Sequence, residues 1–355
     1  MASEMETSSS LTVEDRAAGA IMGAMIGDAL GLGCHWYYDL DQLRREFGEW
    51  ISDYTTPRPG RYHEGCKAGD VSQTGQMYQF LLESLKEKGG YVEEDYCARV
   101  DALLATLDGT RKGGRYTQKD MVDVWRNRVV LKKPWSESGS PNGDTTDSCV
   151  RAAALAARYH TDLSNLTKVI GSNARLQYRD PQLQIHSKAF GLTVACLING
   201  MEYTSVSGYL MESITKGRIP FQSTALNNED ENVPEPDSLL WSRYCGRAAA
   251  NPQIQADPVS AMPQVYGLSC AFYMVMPGAY YLAGRYPNDF EKAVLTAVNS
   301  GGQNLARASL TGALVGAMTG LSGIPERFIK GLVDGEKWVS VAKSIAKDGT
   351  GTTKV

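Results

Sequence analysis

Apolar positions recur along this chain at three- and four-residue spacings, the period of one helix face, while alternation of the strand type is nearly absent. The first and most apolar stretch, residues 17–38, reads AAGAIMGAMIGDALGLGCHWYY. Gly19, Gly23, Gly27 and Gly31 fall every four residues and make one strip with almost no side chains, flanked by Ile21, Met22, Met25, Ile26 and Leu30. Glycine costs a helix interior roughly 1 kcal/mol relative to alanine, so four on one face predict a close approach by another backbone. A second strip, Ala308, Gly312, Gly316 and Gly320, follows the turn Ser300-Gly301-Gly302 near the other end. Both helices are expected to lie in one tightly packed centre.

The same periodicity predicts helices over 40–47, 70–87, 92–107, 120–128, 146–159, 163–176, 181–199, 206–215, 238–250, 266–284, 290–298, 324–332 and 338–345. Pro277-Gly278 is a possible break within 266–284. Residues 53–69 and 132–145 concentrate turn residues, and the acidic run 227–236 reads as an exposed loop. Residues 1–12 and 348–355 are expected to be tails, disordered and flexible, around one domain over 13–347. The fold expectation is all-α, a single domain of helices packed around the glycine seams.

A hydrophobic content of 43% and a charged content of 21% in 355 residues supply an ordinary globular core. A net charge of −4 without a dense basic run disfavours a nucleic-acid partner. The first apolar run is too short to span a bilayer and Asp28 interrupts it, so no membrane association is expected. The polar, acidic N-terminus lacks the features of a secretory signal. Seven widely spaced cysteines with no CxxC pair predict reduced thiols and a cytoplasmic location.

Phosphate-binding loops of the GxxxxGK[ST] and GxGxxG types fail, and no GxSxG element exists. What remains are polar groups at the ends of apolar helices. Asp28, His35 and Asp39 form the first; Asp70, Ser72, Gln73, Thr74 and Gln76 open a second helix. Asn142, Asp144, Thr145, Thr146 and Asp147 open a third, His186 lies within another helix, and Gln303, Asn304 and Arg307 open the second glycine-strip helix. Free N–H groups at helix N-termini suit a polar or phosphorylated small ligand, and equally these residue types cap their own helices. Asp28 is either a reactive carboxylate or the cap of a neighbouring helix or loop. His35, beside Trp36, Tyr37 and Tyr38, is either a general acid/base or ligand clamp, or a buried histidine donating to a carbonyl. His63 and His160 receive no role.

These pieces resemble the ADP-ribosylglycohydrolase superfamily: GAMIGDALG (23–31) with HWYYD (35–39), SQTGQM (72–77), NGDTTDS (142–148) and GGQNLARASLTGALVGA (301–317). The His-Trp-Tyr-Tyr and Gly-Gly-Gln-Asn elements are most similar to the branch of the J-crystallins and selenoprotein J. The resemblance implies an all-α orthogonal bundle with a central cleft, and hydrolysis of ADP-ribosyl bonds with two Mg²⁺ or Mn²⁺ ions. Carried over, the family's Thr-Asp-Asp element falls on Ser72, Gln73 and Thr74. Its Gly-Gly-Asp-Thr-Asp-Thr element falls on Gln303, Asn304, Leu305 and Ala306. The metal-binding carboxylates are thus replaced by Gln73, Thr74, Gln303 and Leu305, and a hard divalent cation prefers anionic oxygens. His35 stands close to where the family carries a glutamate after the GDALG turn, so the resemblance implies that this acid is also missing or moved.

Two functions follow. One is a crystallin-like structural protein or an ADP-ribose-type ligand binder without dinuclear-metal hydrolysis, needing no cofactor. The other is a hydrolase of ADP-ribosyl N- or O-glycosidic bonds with a non-standard site. It would draw its carboxylate from Asp28, Asp70, Asp144 or Asp147, with His35 as acid/base and Mg²⁺ in attendance. Expected ligand contacts in either case are Ser72, Gln73, Thr74, Asn142, Asp144, Gln303, Asn304 and Arg307. The expected partner is a small nucleotide such as ADP-ribose, or an ADP-ribosylated protein.

Overall fold

The computed structural model describes residues 11–111, 115–221, 236–257 and 259–350. Its first helix, α1 (Val13–Leu32), starts at Thr12, whose side chain accepts from the Asp15 N–H. Every residue from Ala17 to Leu32 is buried, as befits a helix apolar all round. The chain continues through α2 (Leu40–Phe47), α3 (Gln73–Lys88), α4 (Glu93–Leu104) and α5 (Lys119–Trp125), the last prolonged by a π-turn over Arg126–Val130. Next come α6 (Asp147–Tyr159), α7 (Leu163–Arg175), α8 (Pro181–Ile198), α9 (Tyr203–Thr215), α10 (Leu240–Ala250) and α11 (Met262–Tyr266). The last five are α12 (Phe272–Arg285), α13 (Phe290–Asn299), α14 (Asn304–Thr319), α15 (Glu326–Gly331) and α16 (Gly335–Thr350). Among the described residues the only β feature is an isolated bridge between Ser140 and Tyr178.

The two glycine strips meet each other. α1 and α14 run antiparallel through the centre, with Gly19 on Gly316, Gly23 on Gly312, Gly27 on Ala308 and Gly31 on Leu305. A Cβ added to any of these four α1 glycines would come closer than 3.0 Å to the facing backbone. Ser309 Oγ also donates to Ala24 O across the seam at 2.8 Å. At one end of the pair Arg16 donates to Met318 O (2.7 Å) and Ala317 O (3.2 Å), closing the C-terminus of α14. Helices α6, α8 and α16 pack around α1, and α8, α12 and α13 around α14.

Several boundaries differ from the sequence expectation. The stretch 266–284 divides into α11 and α12, because Gly267 turns the chain at φ +87°. Pro277 then sits inside α12 without ending it; the carbonyl it leaves unbonded belongs to Tyr273, on an exposed turn. Of the five polar residues expected to open it, α6 starts at Asp147 with Thr146 as N-cap. Thr145 has its hydroxyl committed elsewhere, and Asp144 faces out. The final helix reaches Thr350, into the segment expected as a tail. Residues 1–10, 227–235 and 351–355, which hold most of the expected tails and acidic loop, lie outside the described residues.

Candidate functional site

The site grows from the N-terminus of α3, which abuts α1. Ser72 is the N-cap, its hydroxyl accepting from the Gly75 N–H at 3.2 Å. Beneath it lies Asp28, fully buried, with Ser72 N donating to Oδ2 (2.7 Å) and Ser72 Oγ donating to Oδ1 (2.6 Å). Gly75 makes room: a Cβ there would stand 2.6 Å from Asp28 Oδ2. Burial pushes the Asp28 carboxyl up to about 6, and the two Ser72 bonds pull against it. Both oxygens of Asp28 thus serve the helix N-terminus, the capping role rather than an open carboxylate.

One step along α3, Gln73 Nε2 donates to Thr117 Oγ1 at 2.9 Å, and its Oε1 is buried without a partner. Thr74 Oγ1 donates to Asp147 Oδ1 at 3.0 Å. Asp147 lies beside a second buried carboxyl, Asp120. A single amide nitrogen, Gln177 Nε2, donates to both, at 2.8 Å to Asp120 Oδ2 and 2.9 Å to Asp147 Oδ2. The fully buried Arg151 holds that amide in place, donating from Nη1 to Gln177 Oε1 at 2.7 Å. Gln118 and Thr145 supply further donors, and Tyr178 OH meets the Thr145 hydroxyl at 2.5 Å. Burial, then the Asp147 charge, lifts Asp120 up to about 6; burial also raises Asp147. Asp120 Oδ1 and Thr146 Oγ1 have no partner.

On the other side stands His35, past the C-terminus of α1. Gln303 Oε1, at the N-cap of α14, can only accept, so His35 Nε2–H donates to it at 2.6 Å. His35 Nδ1 is then bare and accepts from His63 Nε2–H at 2.7 Å. Burial drives His35 down to about 4, with the Gln303 bond opposing and Arg61 assisting. Burial, then His35 and Arg115, holds His63 well below the ordinary range. Both imidazoles are therefore neutral at pH 7. Trp36 carries a positive φ of 61°, an uncommon state for a bulky residue. The bend is held by its N–H donating to Gly302 O (3.1 Å) and by Arg61 Nη2 donating to its carbonyl (2.8 Å). It stacks the indole on His35 and sets it edge-on to Tyr62 and Tyr116.

Other expected contacts go elsewhere. Asn304 Nδ2 donates to Cys34 O and Val298 O, fastening the chain after α1 to the end of α13. Leu305 is buried with Leu32 and Cys66. Arg307 donates from Nη1 to Ala297 O and Gly301 O, closing the C-terminus of α13. Asn142 and Asp144 are exposed, Asp39 caps α2, and Asp70 faces Arg115 at 3.9 Å. His186 stacks on Trp241 and lies tilted against Phe272, its Nδ1 buried and unpartnered.

Sequence reasoning missed His63, Asp120 and Gln177. No local signal marks them: His63 meets His35 across 28 residues, and Gln177 reaches Asp120 across 57. Asp120 opens α5 as aspartates ordinarily do.

The positions where the family resemblance places paired cation ligands are already committed in this structure. Thr74 donates its hydroxyl hydrogen, Gln303 Oε1 accepts from His35, and Leu305 is apolar, leaving only Gln73 Oε1 as an open neutral oxygen. Among the described residues no three His, Cys, Asp or Glu side chains converge as metal ligands do. This donor set does not fit a pair of hard divalent cations. Chemically it offers neutral imidazoles, carboxyls whose proton affinity burial has raised, and buried polar atoms without partners.

The family model described as ADP-ribosylglycohydrolase matches residues 9–353. An uncharacterized protein of Archaeoglobus fulgidus is 25% identical over 326 residues, covering 91% of this chain and 93% of its own. Crystallin J1A of Tripedalia cystophora is 25% identical over 354 residues, covering 96% and 98%; Crystallin J1B of the same animal is 24% identical over 357. A solved "ADP-ribosylglycohydrolase-related protein complex" superposes with a TM-score of 0.65 at 17% identity, over 95% of this chain and 99% of that one, a likeness of fold.

Proposed function

This chain belongs to the ADP-ribosylglycohydrolase family, and from that premise we propose that it binds an ADP-ribose-type nucleotide, free or attached to a protein, without dinuclear-metal hydrolysis. The observation that carries the reading is the occupation of the expected ligand positions. Gln73, Thr74 and Gln303 are tied into internal hydrogen bonds and Leu305 into the apolar interior. The unpartnered polar atoms around them support a retained ligand: a buried group without a hydrogen bond costs about 1–3 kcal/mol, which a bound polar molecule would offset. The likeness to two crystallins supports a fold that persists in a structural role. Free cysteines, six of them buried, suit a reducing cytoplasm. No helix among the described residues is long and apolar enough to cross a membrane.

Calorimetry with ADP-ribose tests the proposal, in EDTA and again with Mg²⁺. Equal binding in both is the expected result, and binding only with Mg²⁺ would sink the metal-free reading.

A hydrolase reading draws on one observation, the Asp120–Asp147 pair, where burial and the neighbouring charge lift Asp120 to about 6, the direction a general acid requires. Release of ADP-ribose from a mono-ADP-ribosylated protein in EDTA, abolished by Asp147→Asn, would favour it over the first.

A further inference from the structure

Resting on the nucleotide-binding reading above, we propose that His63 Nδ1 is a ligand-contact atom, the acceptor for a sugar hydroxyl of the bound nucleotide. The polarity of the imidazole pair leads there. Gln303 Oε1 takes the His35 Nε2 proton, His35 Nδ1 takes the His63 Nε2–H, and the lone pair of His63 Nδ1 is left facing no donor. His63 is 3% exposed, so bulk water does not satisfy that nitrogen. A buried acceptor held at the end of a two-bond chain is a built feature, because each link fixes the tautomer of the next.

A second unfilled acceptor belongs to a side chain held by the same stretch that meets His63. Tyr116 sets its edge against the His63 ring, and the next residue, Thr117, accepts from Gln73 Nε2, whose partner oxygen Oε1 is also empty. The Tyr116–Thr117 step therefore touches two side chains that each carry a bare acceptor, His63 Nδ1 and Gln73 Oε1. Adjacent hydroxyls of a ribosyl diol present two donors, which is the chemistry this pair lacks. A phosphate or carboxylate would bring only acceptors and would leave both atoms empty. The class of ligand group assigned here is thus a neutral vicinal diol, with the charged part of the nucleotide elsewhere.

The two amide replacements of histidine separate the roles of its nitrogens. His63→Gln puts an amide at the ε position, keeping the link to His35 and losing the δ acceptor. His63→Asn keeps an acceptor at the δ position and loses the link. ADP-ribose and ribose 5-phosphate are titrated into the wild type and both variants by calorimetry, with melting temperatures as the control for folding. In parallel, ¹⁵N spectra follow the His63 ring. The expected result is a loss of tenfold or more in ADP-ribose affinity for His63→Gln, a smaller loss for His63→Asn, and a ligand-induced shift of the wild-type Nδ1 signal. Unchanged affinity in His63→Gln, or an Nδ1 signal indifferent to ligand, overturns this assignment and leaves the nucleotide-binding reading standing. If the wild type binds neither probe, that reading falls and the assignment falls with it. Should His63→Gln not fold, the ¹⁵N titration of the wild type decides alone.

Discussion

Gly23 and Gly312 touch backbone to backbone: a Cβ on Gly23 would fall within 3.0 Å of both the carbonyl oxygen and the carbonyl carbon of Gly312, and one on Gly312 would meet Gly23 in the same way. Overpacking a core ordinarily costs about 1–3 kcal/mol, and here the atom met is main chain that cannot rotate aside. Gly23→Ala is therefore expected to destabilise by about 3 kcal/mol, read from the urea midpoint. Gly208→Ala in α9 is the contrasting control. Its Cβ meets nothing within 4 Å, so helix propensity should stabilise it by up to about 1 kcal/mol. Equal effects would mean that the seam yields.

Gln177→Leu removes the one amide that donates to both Asp120 and Asp147, and strips Arg151 of a partner. Unsatisfied buried charges cost more than neutral groups, so about 3 kcal/mol is expected at pH 7. The variant's carboxyls then hold their protons to still higher pH, so the penalty should shrink as pH falls toward 5. Urea unfolding of both proteins at pH 7 and 5.5 checks this; a pH-independent penalty contradicts it.

His35 has a depressed folded pKa, about 4 against an ordinary 6.5. Between those values the unfolded chain binds the proton and the native state does not. This contribution to stability is complete above pH 6.5 and is lost as pH falls toward 4. From His35 alone the loss between pH 7.5 and 5 is about 2 kcal/mol. His35→Gln, which can keep an ε-position bond to Gln303, should lack that slope. The difference between the two stability-versus-pH curves is the measurement, since the buried carboxyls act on both alike.

A carboxylate at Leu305, where the resemblance expects a cation ligand, should not create a cation site. Leu305 packs against Gly31, Leu32 and Cys66, so Leu305→Asp buries a charge with no cation to meet it. A cost of about 3–5 kcal/mol is expected. Adding millimolar Mg²⁺ should not raise the melting temperature of this variant; a clear rise would show that a cation site persists.

The seam was legible because glycine at every fourth position has few uses in a buried helix, and its two copies could be matched to each other. Asp28 was legible as a polar exception, and both its oxygens accept from Ser72 at the start of α3. Arg307 is legible as a polar residue opening a helix beside a glycine turn, but its bonds to the carbonyls at the end of the preceding helix are not. The His35–His63 and Asp120–Asp147 pairings depend on how loops and helices far apart in sequence come together. Hydrophobic periodicity specifies which face is buried, not which polar groups will meet there.

The α1–α14 contact also sets the order in which this molecule can be completed. Ser309 and Ala24, bonded across it, are 285 residues apart. At 5–20 residues per second of synthesis, α1 leaves the ribosome roughly 15–60 s before its partner exists. Throughout that interval a helix meant to be buried on every side has its deepest groove empty. Final assembly is then a late, long-range event rather than a progressive one, and substitutions in either glycine strip should slow the acquisition of native structure as well as weaken it.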